Sequence, residues 1–240
     1  MKLTLEIQRY DPEKDRAPYF QSYTLEADPT DRLLSLLMRI KQTLDPTLAF
    51  RKSCAHGVCG SDAMKINGRE RLACKTLVKD VVDEGKNLIR IEPLQTLPLQ
   101  RDLMVDQTRF FDLYHSVHPY FINPEPPPEI ERLQSPEDRA IIDDGTKCIL
   151  CECCYSACPV VRETNPDFMG PAAAVQAARF QDDSRDSGFL ERLDVLDGPN
   201  GIWPCESRFE CTRVCPRSIK VTKLINLTKR KITRHKERRE

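Results

Sequence analysis

Eleven cysteines in three tight groups constrain this 240-residue chain more than any other feature. The groups are Cys54, Cys59 and Cys74; Cys148, Cys151, Cys153, Cys154 and Cys158; and Cys205, Cys211 and Cys215. An odd count without a secretory signal argues against a disulfide framework and for thiolate ligands to metal. Seventy-three residues without cysteine, from Lys75 to Lys147, separate the first group from the rest. That gap suggests two metal-bearing modules.

Composition leaves room for them. Forty per cent of residues are hydrophobic and 31% charged, which excludes a disordered chain. No run approaches the roughly 18–20 apolar residues of a membrane span. The opening MKLTLEIQRY alternates apolar and polar residues, unlike a signal or transit peptide, so the expectation is a soluble or peripheral protein that begins at Met1. Lys plus Arg equals Asp plus Glu at 37 each, yet the balance is uneven. Arg217 to Glu240 holds ten basic and two acidic residues, leaving residues 1–216 net acidic. Val221, Leu224, Ile225, Leu227 and Ile232 fall near helical spacing there, so the tail reads as a surface helix with a solvated basic face. The sharper reading is contact with an anionic membrane surface or an acidic partner. Nucleic acid is not expected, because no recognition motif accompanies the charge.

Leu3, Leu5 and Ile7 mark a half-buried strand over 2–10, and Tyr19 to Leu25 its returning partner. Asp28-Pro29 reads as a helix N-cap with proline in the first turn, followed by the stripe Leu33, Leu36, Leu37, Ile40 and Leu44. Met64-Lys65-Ile66 before Asn67-Gly68 predicts a hairpin, and Ile89 with Ile91 another strand. These elements predict a small α+β domain over 1–103. A connector over 104–130 contains the stiff, Pro-rich Asn123 to Pro128. Helical patterns at 171–180, 189–196 and 221–233 then predict an all-α domain over 131–240.

Cys54-x4-Cys59-x2-Asp62, with Cys74 further on, has the spacing of a plant-type [2Fe–2S] site in which aspartate takes the third ligand's place. A carboxylate can bind iron; the alternative is Asp62 beside the cluster with Ser61 or water completing it. Gly57 and Gly60 would let the loop turn and offer N–H groups to the sulfides. Cys148-x2-Cys151-x2-Cys154-x3-Cys158-Pro159 is the full bacterial-ferredoxin run. Its partner, Cys205-x2-Arg208-x2-Cys211-x3-Cys215-Pro216, keeps the register but carries Arg208 at the second position. In two-cluster ferredoxins the fourth cysteine of each run binds the other cluster. That rule gives a [4Fe–4S] site from Cys148, Cys151, Cys154 and Cys215, and a [3Fe–4S] site from Cys158, Cys205 and Cys211. Cys153 lies outside the register and reads as a buried thiol. His56 reads as solvent-facing or beside the cluster, and His115 and His118 as surface or interface residues. A zinc protein would leave both Cys-Pro endings and the matched registers unexplained.

With its [2Fe–2S]-type domain of β-grasp form and its bacterial-ferredoxin-like domain, the chain resembles the iron–sulfur subunit of succinate dehydrogenase and quinol:fumarate reductase. The likeness extends to SCAHGVCGSDAMKINGRERLACKT (53–76), RDLMVDQTRFF (101–111), NPDFMGPAAAV (165–175) and DSRD (183–186). Aspartate in GSD occurs in some succinate dehydrogenases, which favours succinate oxidation. The resemblance implies a cluster relay from FAD on a flavoprotein subunit to ubiquinone or menaquinone at hydrophobic anchor subunits, with or without haem b. It places the chain on the cytoplasmic side of a bacterial cytoplasmic membrane, with no catalytic acid, base or nucleophile of its own. It also implies that Pro159, Trp203 and Arg208 neighbour the quinone pocket. The pattern departs from the better-known ubiquinone-using members at Arg162-Glu163-Thr164, where tryptophan is usual, and at Glu206, where histidine is usual. Fumarate reductase, or a soluble ferredoxin-like or thiol-linked carrier, remains an alternative.

Overall fold

The alternation of Leu3, Leu5 and Ile7 makes β1 (Lys2–Arg9) a strand with one wholly buried face. β2 (Tyr19–Glu26) pairs antiparallel along its full length. α1 (Leu33–Thr43) follows, then the hairpin β3 (Ala63–Ile66) and β4 (Arg69–Leu72), joined through Asn67 and Gly68, both at positive φ. β5 (Leu88–Glu92) runs parallel to β1 and antiparallel to β3, closing a mixed sheet of order β2-β1-β5-β3-β4. Leu33, Leu36, Leu37 and Ile40 of α1 are buried with the inward residues of β1, β3 and β5, forming the core of this β-grasp fold. A short hairpin, β6 (Leu99–Arg101) and β7 (Met104–Val105), completes it.

The computed structural model describes residues 1–82 and 86–239. It divides into one unit of Met1–Gln107 with Ile149–Ala157, and a second of Thr108–Cys148 with Cys158–Glu240. The Pro-rich segment falls inside the second unit; of the long run, Cys151, Cys153 and Cys154 belong to the first unit and Cys148 and Cys158 to the second.

One expectation is corrected. Asp28 does not cap α1, whose N-cap is Arg32 without a side-chain cap. Its carboxylate instead accepts from the backbone and hydroxyl of Thr30, closing a local turn before the helix. Arg32 donates to the carbonyl oxygens of Cys74 (2.9 Å) and Ala55 (3.3 Å), pinning the cysteine loop at both ends.

The second unit is helical: α2 (Thr108–Ser116), α3 (Pro136–Thr146), α5 (Gly170–Gln181), α6 (Phe189–Leu196), α7 (Glu210–Arg213) and α8 (Val221–Glu237). The short α4 (Cys153–Ser156) belongs to the first unit. Its alanines let α5 sit buried at nearly every position, with α2, α3 and α8 packed around it. Close approach is literal at Gly145 of α3, where a Cβ would stand 2.9 Å from the Arg179 side chain. No helix among the described residues is long and apolar enough to cross a membrane.

Candidate metal centres

The first loop is shaped around sulfur. Cys54 Sγ accepts the backbone N–H groups of Cys59 (3.3 Å), Val58 (3.4 Å) and His56 (3.5 Å). Those bonds, led by the one from His56, lower its pKa to about 6, so the loop favours the thiolate form that ligates iron. Cys59 Sγ lies 3.2 Å from Ser61 Oγ.

Asp62 is 2% exposed. Its Oδ2 accepts from the Cys74 N–H at 2.6 Å, whereas Oδ1 is buried with no hydrogen-bond partner. A buried carboxylate oxygen left unpaired costs free energy that a cation would recover, so the residues fit an iron–sulfur group. The Cys74 thiol is pushed up to about 12, first by burial and then by the neighbouring Asp62 carboxylate. Cys74 and Asp62 therefore face the same small volume, while the His56 side chain is exposed.

Gly60 holds this loop in place. Its φ is +72°, and a Cβ there would meet Cys151 Cβ at 2.7 Å and Cys151 Cα at 2.9 Å. Gly60→Ala is thus expected to cost about 1–2 kcal/mol for the left-handed backbone alone, with the collision added. A fall in thermal midpoint together with lower [2Fe–2S] occupancy checks it.

The two long runs fold as a structural repeat. Cys148 and Cys205 stand 57 residues apart, and so do all later counterparts. Leu150 (φ +52°) and Glu152 (φ +67°) are left-handed around Cys151, as Ser207 (φ +57°) and Phe209 (φ +65°) are around Arg208. Glu152 is the N-cap of α4 and Phe209 that of α7, and each helix carries the cysteine at the run's third position, Cys154 and Cys211. Such backbone is unfavourable for non-glycine residues and persists only where the surroundings demand it. Arg208 therefore occupies the backbone position of Cys151. Its guanidinium is half exposed and pairs with Glu206 at 2.7 Å.

Cys158, Cys205 and Cys211 lie near one another in the second unit. Burial raises the Cys158 thiol to about 11, and the proximity of Cys211 and Cys205 adds to the rise. Burial likewise raises Cys211, whose Sγ lies 3.4 Å from the Thr222 hydroxyl. Binding a metal would release these protons, since cysteine ligates as thiolate. Among the described residues no three candidate donors converge on one ion. Zinc needs four donors about one point, whereas a cluster spreads its thiolates over separate irons. Cys153 is fully buried.

Sequence reasoning missed several supports. The Glu152 carboxyl, 2% exposed, accepts from Gln107 Nε2 at 2.6 Å, and burial raises its pKa to about 7. Lys229 donates to the carbonyl oxygens of Cys205 (2.7 Å) and Trp203 (3.2 Å). Trp203 is 38% exposed, donates to Asp197 and carries Lys236 over its ring. Part of the tail's charge is thus spent inside the fold, where only three-dimensional proximity reveals it. Pro159 leads into a π-helical turn, Val160–Thr164, directly after Cys158.

Fold and donor set together define a two-domain iron–sulfur electron-transfer protein. Residues 4–112 match the 2Fe-2S iron-sulfur cluster binding domain family, and residues 144–219 the 4Fe-4S dicluster domain family. The chain is 42% identical to the succinate dehydrogenase iron-sulfur subunit of Coxiella burnetii, over 93% of this chain and 94% of that one. It is 40% identical to the fumarate reductase iron-sulfur subunit of Mycobacterium tuberculosis, over 91% and 87%. A chain of the Mycobacterium smegmatis Sdh1 complex superposes with a TM-score of 0.87 at 28% identity, covering 98% of this chain and 97% of that one. The chain belongs to the family of iron–sulfur subunits of succinate dehydrogenases and fumarate reductases.

Proposed function

We propose that the chain is the electron-transfer subunit of a membrane-bound succinate dehydrogenase. In this reading it carries electrons from FAD on a flavoprotein subunit to a quinone beside hydrophobic anchor subunits, on the cytoplasmic face of a bacterial membrane. One observation carries it: the second ferredoxin loop repeats the first in backbone conformation while arginine replaces a cysteine. Arginine stays charged and cannot ligate iron. The proposed ligands are Cys54, Cys59, Asp62 and Cys74 for [2Fe–2S]; Cys148, Cys151, Cys154 and Cys215 for [4Fe–4S]; and Cys158, Cys205 and Cys211 for [3Fe–4S].

Bound clusters supply one-electron redox chemistry at potentials set by charge, hydrogen bonding and exposure. The chain's own residues do the rest. N–H groups of the first loop are spent on sulfur, Lys229 fixes the loop of Cys205, and Thr222 packs against Cys211. Arg208, Pro159 and Trp203, each at least partly exposed, are the residues proposed to neighbour the quinone.

Asp62 supports succinate oxidation as the direction, through the GSD pattern. Quinol:fumarate reduction is the second reading, favoured by the near-equal identity to fumarate reductase subunits. The assembled complex, purified in detergent, should reduce its clusters with succinate and reduce quinone faster than it oxidises quinol with fumarate. The reverse ratio would select fumarate reductase. Clusters inert to both dicarboxylates would overturn the family role.

Asp62→Cys is expected to retain the [2Fe–2S] cluster at a shifted potential, because thiolate is the usual donor at that place. Asp62→Ala should lower cluster occupancy. An unchanged electron paramagnetic resonance (EPR) spectrum in the alanine variant would remove Asp62 from the ligands.

A further inference from the structure

The C-terminal helix carries a second site that includes none of the proposed ligands. A cavity of about 600 Å³ opens between α8, the start of α6, the end of α5 and Ile141 of α3. Arg230, Arg234 and Arg238 line it at intervals of four residues, one above another on a single helical face. All three are exposed, and none makes an ion pair among the described residues. Lys231, beside them, is already neutralised by Asp182 at 2.8 Å. The helix dipole favours cations only in the last turn, so it does not account for Arg230. Like charges in this spacing repel, and an anion between them would remove the repulsion.

Apolar side chains share the lining with the arginines. Phe189 stands edge-on to His235 (5.3 Å between centroids), whose Nε2 is buried without a hydrogen-bond partner. Leu227 and Ile141, 41% and 59% exposed, form the rim. A volume near 600 Å³ suits a ligand of tens of atoms rather than a bare inorganic ion. Three forked cations beside apolar side chains suit a phosphate joined to a hydrocarbon.

We propose that this pocket binds the headgroup of an anionic phospholipid. The guanidinium groups of Arg230, Arg234 and Arg238 take the phosphate oxygens, His235 Nε2 offers a further polar contact, and Phe189, Leu227 and Ile141 cover the glycerol and first methylenes. The site is independent of the direction of the redox reaction.

The full chain, loaded with its clusters, is sedimented with vesicles of phosphatidylcholine alone or mixed with phosphatidylglycerol. Binding is expected only to the mixed vesicles and to weaken with salt. Arg230→Gln/Arg234→Gln/Arg238→Gln should lose about a hundredfold, at roughly fivefold per basic residue near an anionic surface. Leu227→Gln, at a half-exposed position and without change of charge, should also weaken binding severalfold. Soluble dihexanoyl phosphatidylglycerol should compete, and inorganic phosphate at equal concentration should not. Cluster absorbance confirms that each variant is folded. Unchanged vesicle binding by the triple arginine variant, or equal competition by inorganic phosphate, overturns the proposal. So does a triple variant that fails to assemble with the flavoprotein while the wild-type chain ignores anionic vesicles, since the arginines would then serve a protein partner.

Discussion

Replacing Arg192 by methionine is expected to destabilise the second unit by about 3–5 kcal/mol, the cost of stranding a buried charge. Arg192 and Asp186 are both wholly excluded from solvent and meet at 2.7 Å. The guanidinium also donates to the carbonyl oxygens of Val117, His118 and Tyr120, while Asp186 accepts from the N–H groups of Ile122 and Gly188. One ion pair thus satisfies the backbone of an irregular segment, 117–122, that no helix or sheet could serve. Asp186→Asn alone should also destabilise, and the double variant should recover part of the loss because no charge is left stranded. Denaturant midpoints followed by far-ultraviolet circular dichroism, taken round the cycle, measure the coupling. Additive losses would show that the pair does not act as a unit.

The second large effect belongs to Arg208. Arg208→Cys completes the C-x2-C-x2-C-x3-C-P run in a loop whose left-handed Ser207 and Phe209 already match those around Cys151. The new thiolate should need no backbone rearrangement. The [3Fe–4S] signal is expected to diminish, the cluster to convert toward [4Fe–4S], and quinone reduction to slow. The pairing of Arg208 with Glu206 is exposed, so its loss should alter stability little. An undiminished [3Fe–4S] signal in the variant would show that residue 208 does not stand at the missing corner.

Where local pattern determined local structure, the sequence was legible. The alternation of β1, the Asn67-Gly68 turn and the stripe of α1 each name one conformation, and the structure has them. The start of α1 was misread because Asp28 satisfies its own turn five residues before the helix begins, leaving Arg32 as N-cap. α3 went unread although Ser135 caps it through the Asp138 N–H, because Ile142 and Gly145 are its only buried residues and make no periodic stripe. The ligand pattern was legible because a cluster requires fixed thiolate spacing. Its supports were not, since Lys229 at the Cys205 carbonyl and Gln107 at Glu152 join positions that no spacing rule relates. DSRD was visible as a motif, but its physical reason appears only in the buried contact of Asp186 with Arg192.

Because the account rests on three different clusters in one chain, EPR of the assembled wild-type complex tests it most directly. As isolated, the complex should show a [3Fe–4S] signal; reduced, it should show [2Fe–2S] and [4Fe–4S] signals, each at one per chain. Two [4Fe–4S] clusters without a [3Fe–4S] signal, or zinc in place of iron at the second and third cysteine groups, would contradict it.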